Sequence, residues 1–368
     1  MIHINPETNV TPKIVVMGAG AIGGYFGGLL ARSGADVTLV DSWAEHVETI
    51  RRNGLRVSDI SGELDVVCKP RTLHVNEVQS LSREHPIDIC ILSTKSYDTE
   101  WATALIKPYL ASDGFVVSMQ NCINEQTIAE VVGWGRTVGC IVMISAELIE
   151  AGHALRTMGR QTPPLVEFQF GEIHGRQTAR IEALAKMATS FDGSSTTSNL
   201  WGQRWSKLCI NAMHNGVSAI SGLNGQDREA NELIRAFELR LGCEAVRVGR
   251  ALGYSFDHIG RFEADKLARI GDGDGADLKE AHEWLVGGSI GARRSNRQRP
   301  SLAQDIAKGR RTEIDFINGF VAGEAGSIGM DAPANMAVAN LVNLLERGEI
   351  KADPQHIFDA EEALSRLN

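Results

Sequence analysis

Short apolar runs rich in β-branched residues recur through the first half of the chain, separated by longer stretches with helical spacing. Ile14 to Met17, Asp36 to Asp41, Ile87 to Ser93, Gly114 to Met119, Val138 to Ser145 and Leu165 to Phe170 are too brief for helices. They read as strands, most of them apolar on both faces as buried parallel strands are. Leu55 to Val67 reads as short strands with a turn at Ser61-Gly62. Between them, the segment running to Arg32, Trp43 to Asn53, Thr99 to Leu110 and Thr127 to Val132 read as helices. This alternation predicts an α/β architecture with a doubly wound parallel sheet. The polar, short-chained stretch Asp192 to Asn199 marks a junction, after which the pattern turns helical. Two domains follow from this: an α/β domain over 12–195 and an all-helical domain over 200–368.

The first strand runs into Gly18-Ala19-Gly20-Ala21-Ile22-Gly23, the G-x-G-x-x-G spacing. Gly18 suits the tight turn, Gly20 lets a pyrophosphate approach the backbone, and Gly23 lets the helix pack on the sheet. The helix N-terminus adds free N–H groups and the positive end of its dipole. A competing reading exists, because residues 14–31 are uncharged and Gly20, Gly24 and Gly28 form a ladder like that of a membrane helix dimer. Glycines at that density cost ~1 kcal/mol each in a helix interior. The second strand ends in Asp41, about 20 residues past the motif, where a dinucleotide site needs an acid. The first domain is therefore expected to be a Rossmann domain. Its crevice lies beyond the strand ends, at Gly18 to Gly23, Asp41, Thr94 to Ser96 and Gln120-Asn121.

Composition removes several alternatives. The net charge of −9 comes with no basic stripe, which argues against nucleic acid. The polar Met1 to Thr11 lacks a signal pattern, and no apolar run is long enough to span a bilayer, so a cytoplasmic protein without a membrane partner is expected. Cysteines 68, 90, 122, 140, 209 and 243 are scattered without C-x-x-C and read as buried free thiols, not as a metal site. Gly271-Asp-Gly-Asp-Gly275 lacks the bidentate acid of a calcium loop and reads as a flexible loop.

Two stretches in the second half carry chemistry. In Trp205-Ser-Lys207 through Asn215-Gly216, Lys207, Asn211 and Asn215 fall at i, i+4 and i+8 and form one stripe on a largely apolar helix. A lysine and two amides there are costly unless they meet partners or a cleft. In Ser301 through Arg311-Thr312-Glu313 to Gly319-Phe320, Ile314, Ile317 and Phe320 make an apolar face and leave Glu313 and Asn318 to one side.

In this order the motifs resemble the ketopantoate reductase (2-dehydropantoate 2-reductase) family over about residues 12–345: the glycine loop, Lys95, Gln120-Asn121, the Lys207–Asn211–Asn215 stripe, Ser301, Thr312-Glu313 and Asn318-Gly319. The resemblance implies hydride transfer from a nicotinamide to the ketone carbon of a 2-keto acid, with the substrate in a cleft between the domains. It implies Lys207 as general acid with Glu313 as the second catalytic residue, positioning the substrate or the nicotinamide ribose. Asn121, Asn211, Asn215 and Ser301 would hold the substrate. Gly18, Ala19, Gly20, Ala21, Ile22, Gly23, Asp41, Lys95 and Asn121 would hold the cofactor. A homodimer belongs to the same expectation. Physical chemistry agrees on the lysine, since desolvation eases its deprotonation and an ammonium stabilises a developing alkoxide.

Three departures stand where the substrate should lie. Cys122 follows Asn121 where the family often has Gly. Gly216 follows Asn215 where it often has Pro, with His214 alongside, read as a core histidine. The 270–299 segment exceeds the usual length. Asp41 is followed by Ser42 and Trp43 and not by an arginine, so NAD(H) is expected over NADP(H). That keeps open an NAD-dependent D-2-hydroxyacid dehydrogenase acting on another bulky acid. A non-catalytic NAD-binding sensor would not need Lys207 and Glu313.

Overall fold

The computed structural model describes residues 11–159, 166–256, 258–286 and 300–366. The start of the expected strand at Leu165, the Gly287-Gly288 pair, the basic run to Arg299 and most of the leader lie outside the described residues. The chain forms two compact units that divide between Leu200 and Trp201.

The first unit contains β1 (Lys13–Met17), α1 (Ala21–Arg32), β2 (Asp36–Asp41), α2 (Ala44–Asn53), β3 (Leu55–Asp59), β4 (Asp65–Cys68), β5 (Arg71–His74), β6 (Ile87–Leu92), α3 (Thr99–Ile106), β7 (Leu110–Ser118) and α4 (Glu125–Val132). It continues with β8 (Thr137–Val142), β9 (Ala146–Glu150), β10 (His153–Arg156), β11 (Phe168–Glu172), α5 (Ala179–Thr189) and β12 (Ser194–Thr197). Eight strands form the main sheet in the order β12-β11-β8-β7-β6-β1-β2-β5. It is mostly parallel; β11 runs antiparallel to β8, so the last pair reverses direction. Period-two alternation divides the core between the two faces. Ile14 and Val16 of β1 pack with α1 and α5, whereas Val15 and Met17 pack with residues of α3 and α4.

A second, four-stranded sheet in the order β4-β3-β10-β9 explains the glycine ladder. A Cβ on Gly28 would lie 3.0 Å from Leu55 and 3.2 Å from Val57; one on Gly24 would only make ordinary contact with Ala154, at 3.6 Å, its tight neighbour being Ala19 O at 3.0 Å. Leu55, Val57 and Ala154 belong to β3 and β10. On the other side of α1, a Cβ on Gly27 would come within 2.6 Å of Leu39 in β2. The small residues thus let one helix fit between two sheets; the ladder is not a membrane dimer face.

The second unit contains α6 (Leu200–Ser221, entered from the last residue of the first), α7 (Gly225–Ala230), α8 (Glu232–Ala251), a two-residue strand pair β13 (His258–Ile259) and β14 (Phe262–Glu263), α9 (Ala264–Gly271), α10 (Leu278–Val286), α11 (Ser301–Ala307), α12 (Asn318–Ser327), α13 (Pro333–Glu346) and α14 (Gln355–Ser365). It is helical apart from that strand pair. Trp205, fully buried on α6, donates from its indole N–H to the Ala245 carbonyl of α8 at 2.8 Å and stacks on Tyr254. Gly216 packs closely on α13: a Cβ there would lie 2.3 Å from Val338.

Among the described residues no helix is long and apolar enough to cross a membrane. No group of three potential metal ligands occurs among them either. All six cysteines are free and buried.

Candidate active site

In the first unit the glycine loop joins β1 to α1 in a tight turn. Gly18 takes φ +91°, which a side chain rarely adopts, and its N–H donates to Val40 O at 2.8 Å. A Cβ on Gly23 would lie 1.9 Å from Gly18 O, so no other residue fits there without opening the turn. Gly20 differs: a Cβ would meet nothing within 4 Å. The space over Gly20 at the start of α1 is open, as the pyrophosphate of a dinucleotide requires.

Asp41 ends β2 as expected, and both its oxygens are already engaged. Oδ2 accepts from Ala19 N and Oδ1 from Trp43 N, each at 2.8 Å. Each oxygen keeps a further lone pair. Ala21 and Ile22 form the first turn of α1 and are half-buried.

The strand-end loops after β6 and β7 are tied together by two side chains. Gln120, buried, donates from Nε2 to Thr94 O at 3.0 Å and to Thr99 Oγ1 at 2.9 Å. Asn124, also buried, donates from Nδ2 to Asn121 O at 2.7 Å and to Ser96 Oγ at 3.2 Å. Half-buried Lys95 and Asn121 are thereby held on neighbouring loops. Between Asn121 and Asn124, Cys122 adopts φ +67°, alone among the described non-glycine residues. The position takes left-handed backbone, which suits glycine and costs a cysteine about 1–2 kcal/mol.

In the second unit α6 carries Lys207, Asn211 and Asn215 on one continuous helix. Lys207 and Asn211 are half-buried and Asn215 is buried. The Asn211 Nδ2 atom is buried without a hydrogen-bond partner among the described residues. His214 turns away to a charge cluster: its Nδ1 lies 3.2 Å from Glu238 Oε1 of α8, which Arg228 also reaches. Burial raises the Glu238 carboxyl and the His214 and Arg228 charges outweigh it, leaving it below its ordinary value.

The segment around Glu313 corrects the sequence reading. Residues 313–320 are not one helix; a short 3-10 turn at Ile314–Phe316 follows Glu313, and α12 starts only at Asn318. Glu313 is buried, not set to one side, and so is Asn318. Asn318 is structural: its Nδ2 donates to Ala212 O of α6 and to Asn335 Oδ1, both at 2.9 Å. Because Ala212 lies beside Asn211, this bond fastens the Glu313 turn to the amide stripe. Ser301 is the first residue of α11 and half-buried.

Sequence reasoning missed Gln120 as a brace, Asn124 and His46. Each has a partner remote in sequence, 26 residues away for Gln120, 28 for Asn124 and 106 for His46, so no local pattern marks them.

Comparison with known proteins gives a consistent picture. The family model "Ketopantoate reductase PanE/ApbA" matches residues 14–164, and "Ketopantoate reductase PanE/ApbA C terminal" matches residues 199–346. The 2-dehydropantoate 2-reductase of Pyrococcus horikoshii is 30% identical over 339 residues, 91% of this chain and 97% of that protein. Among solved structures, the PanE/ApbA family ketopantoate reductase of Ralstonia eutropha JMP134 is similar at 28% identity and TM-score 0.73, covering 91% of this chain and 99% of that one. A D-mandelate dehydrogenase solved with NADH and anilino(oxo)acetate shares the fold at TM-score 0.76 and 24% identity, covering 91% and 98%. With both halves matched in order on the loops and helices just described, the chain belongs to the ketopantoate reductase family.

Proposed function

We propose that this protein is a nicotinamide-dependent 2-keto acid reductase that forms the (R)-2-hydroxy acid, with ketopantoate as the default substrate. The glycine loop, Asp41, Lys95 and Asn121 hold the dinucleotide, whose reduced nicotinamide supplies the hydride. Lys207 gives its ammonium proton to the substrate oxygen as negative charge grows there, lowering the barrier by general acid and electrostatic stabilisation. Asn121, Asn211, Asn215 and Ser301 hold the substrate's polar groups, and Glu313 orients the substrate or the nicotinamide ribose.

The observation that carries this reading is the α6 stripe. Among the described residues the buried Asn211 donor has no partner, at a usual cost of about 1–3 kcal/mol. A fold retains such a group where binding an acceptor repays it.

The finer assignment is to NAD(H). Asp41 accepts from the loop backbone and offers its remaining lone pairs to ribose hydroxyls, while its charge repels a 2′-phosphate. Asp41 therefore also favours a second reading, an NAD-dependent D-2-hydroxyacid dehydrogenase for another bulky branched or aromatic acid. A cytoplasmic homodimer is part of the same proposal, and light scattering on the purified chain reads the assembly.

The test is a screen of 2-keto acids with NADH and NADPH, following loss of the reduced nicotinamide's absorbance, in the unmodified protein and in Lys207→Ala. Turnover of ketopantoate supports the first reading, and turnover only of an aromatic or branched acid with NADH supports the second. Lys207→Ala should lower kcat ~10²-fold or more while NADH still binds. Near-normal turnover in that variant would remove Lys207 from the chemistry.

A further inference from the structure

His46 is a fully buried histidine on α2 that the reaction does not use. Both ring nitrogens are engaged with backbone. Nδ1 accepts the Gly152 N–H at 2.8 Å, in the turn between β9 and β10. Nε2 lies 2.9 Å from Ala19 O, inside the glycine loop. These two partners fix the tautomer. A nitrogen that accepts an N–H carries no proton, so the proton sits on Nε2 and is donated to the Ala19 carbonyl. The ring is also clamped from the side, with Trp43 stacked on it at 5.5 Å between centroids and 11° between planes.

The consequence concerns Ala19, the residue between the first two glycines of the loop. Its N–H is held by Asp41 and its C=O by His46. The peptide groups around Ala19 are thus gripped from both ends, and the preceding Gly18 N–H is tied to Val40. Gly20 follows directly, with open space above it. A loop that receives a pyrophosphate on its backbone N–H groups binds best when those groups are already aimed, because no ordering cost then falls on the ligand.

We propose that His46 is a positioning residue for the dinucleotide: as the neutral Nε2–H tautomer it fixes the Ala19 carbonyl and thereby aims the glycine loop. The device is a donor at one defined point, reaching from α2 to the loop. The inference rests on the reading of the first unit as the nicotinamide site. It predicts that the histidine governs cofactor affinity and leaves the chemical step alone.

Two replacements separate the ring's two bonds. The amide of Gln reaches about as far as Nε2, so His46→Gln can still donate to Ala19. The shorter Asn matches Nδ1, so His46→Asn can serve Gly152 but not Ala19. Binding of NADH is measured by calorimetry, kcat at saturating NADH with the substrate found in the screen, and folding by thermal melting. The expected result is that His46→Asn weakens NADH binding about tenfold or more while kcat at saturation stays within about twofold, and that His46→Gln restores most of the affinity. Unmodified protein that binds neither NADH nor NADPH would sink the underlying cofactor reading and not this proposal alone. If the unmodified protein binds and a folded His46→Asn binds equally well, the proposal is wrong. A folded His46→Gln that has lost binding overturns it too. Should His46→Asn fail to fold, a folded, binding-competent His46→Gln supports the donor role, and failure of both to fold makes the ring purely structural and refutes it.

Discussion

The same substitution at two glycines of the glycine loop should separate binding from folding. Gly20 and Gly23 are three residues apart in one motif, yet their surroundings are opposite. A Cβ on Gly23 would lie 1.9 Å from Gly18 O, where ordinary contact begins at 3.4 Å, so the turn must open by well over an ångström. Such overpacking costs about 1–3 kcal/mol or more, and Gly23→Ala should melt several degrees early. On Gly20 the same methyl meets nothing. Gly20 is the N-cap of α1 with no side-chain cap bond. Alanine is a poorer N-cap by about 0.5–1 kcal/mol; the stiffer unfolded chain returns about 0.4–1 kcal/mol. Gly20→Ala should therefore leave the melting temperature within a few degrees. Its methyl would instead fill the approach to the backbone. Losing one charge-assisted hydrogen bond costs about 1.5–3 kcal/mol, or roughly 10- to 100-fold in NADH affinity at 1.4 kcal/mol per tenfold. Thermal melting and titration calorimetry on both variants are sufficient. A Gly20→Ala protein that binds NADH like the unmodified chain would show that the open space is not the cofactor's.

The remaining predictions concern charge. The unmodified protein should favour NADH over NADPH by roughly 10²-fold in kcat/KM, from like-charge repulsion of a few kcal/mol in a partly buried site. Asp41→Ala should narrow that ratio and also weaken both cofactors by releasing Ala19 N; equal use of the two by the unmodified chain would refute the assignment. Glu84 is bonded to Arg71 and Lys13, and the Arg71 guanidinium above all holds its carboxyl down at about 2. A lowered carboxylate stabilises the fold above its unfolded value near 4.5 and loses that contribution as pH falls toward 2. Because the group is partly solvated, Glu84→Gln should remove only about 1 kcal/mol, visible as reduced acid sensitivity of the melting temperature in that window. Burial pushes the Cys68 thiol up to about 11 and the Cys243 thiol up to about 12. Native protein at pH 8 should accordingly react slowly with a thiol reagent, and rapid labelling of either residue would contradict the packing.

The sequence by itself determined the parts whose cause is local. A β-branched run followed by spaced glycines forms a strand, turn and helix because chain sterics and period permit little else. Asp41 falls at a strand end for the same reason. Lys207, Asn211 and Asn215 share a stripe because they are one helical turn apart each. Tertiary structure decided what depends on contacts remote in sequence. The four-stranded sheet pairs β3 with β10, nearly a hundred residues later, and only that sheet explains why Gly28 must be small. The reversal of β11 leaves no mark in an apolar run, since a strand's pattern is the same read in either direction. The apolar face of Ile314, Ile317 and Phe320 left Glu313 to one side, but the chain forms a 3-10 turn after Glu313 and α12 starts only at Asn318, whose bonds to Ala212 and Asn335 are remote in sequence. His46 and Asn124 are ordinary polar residues until the fold brings the Ala19 carbonyl to the first and the Ser96 hydroxyl to the second.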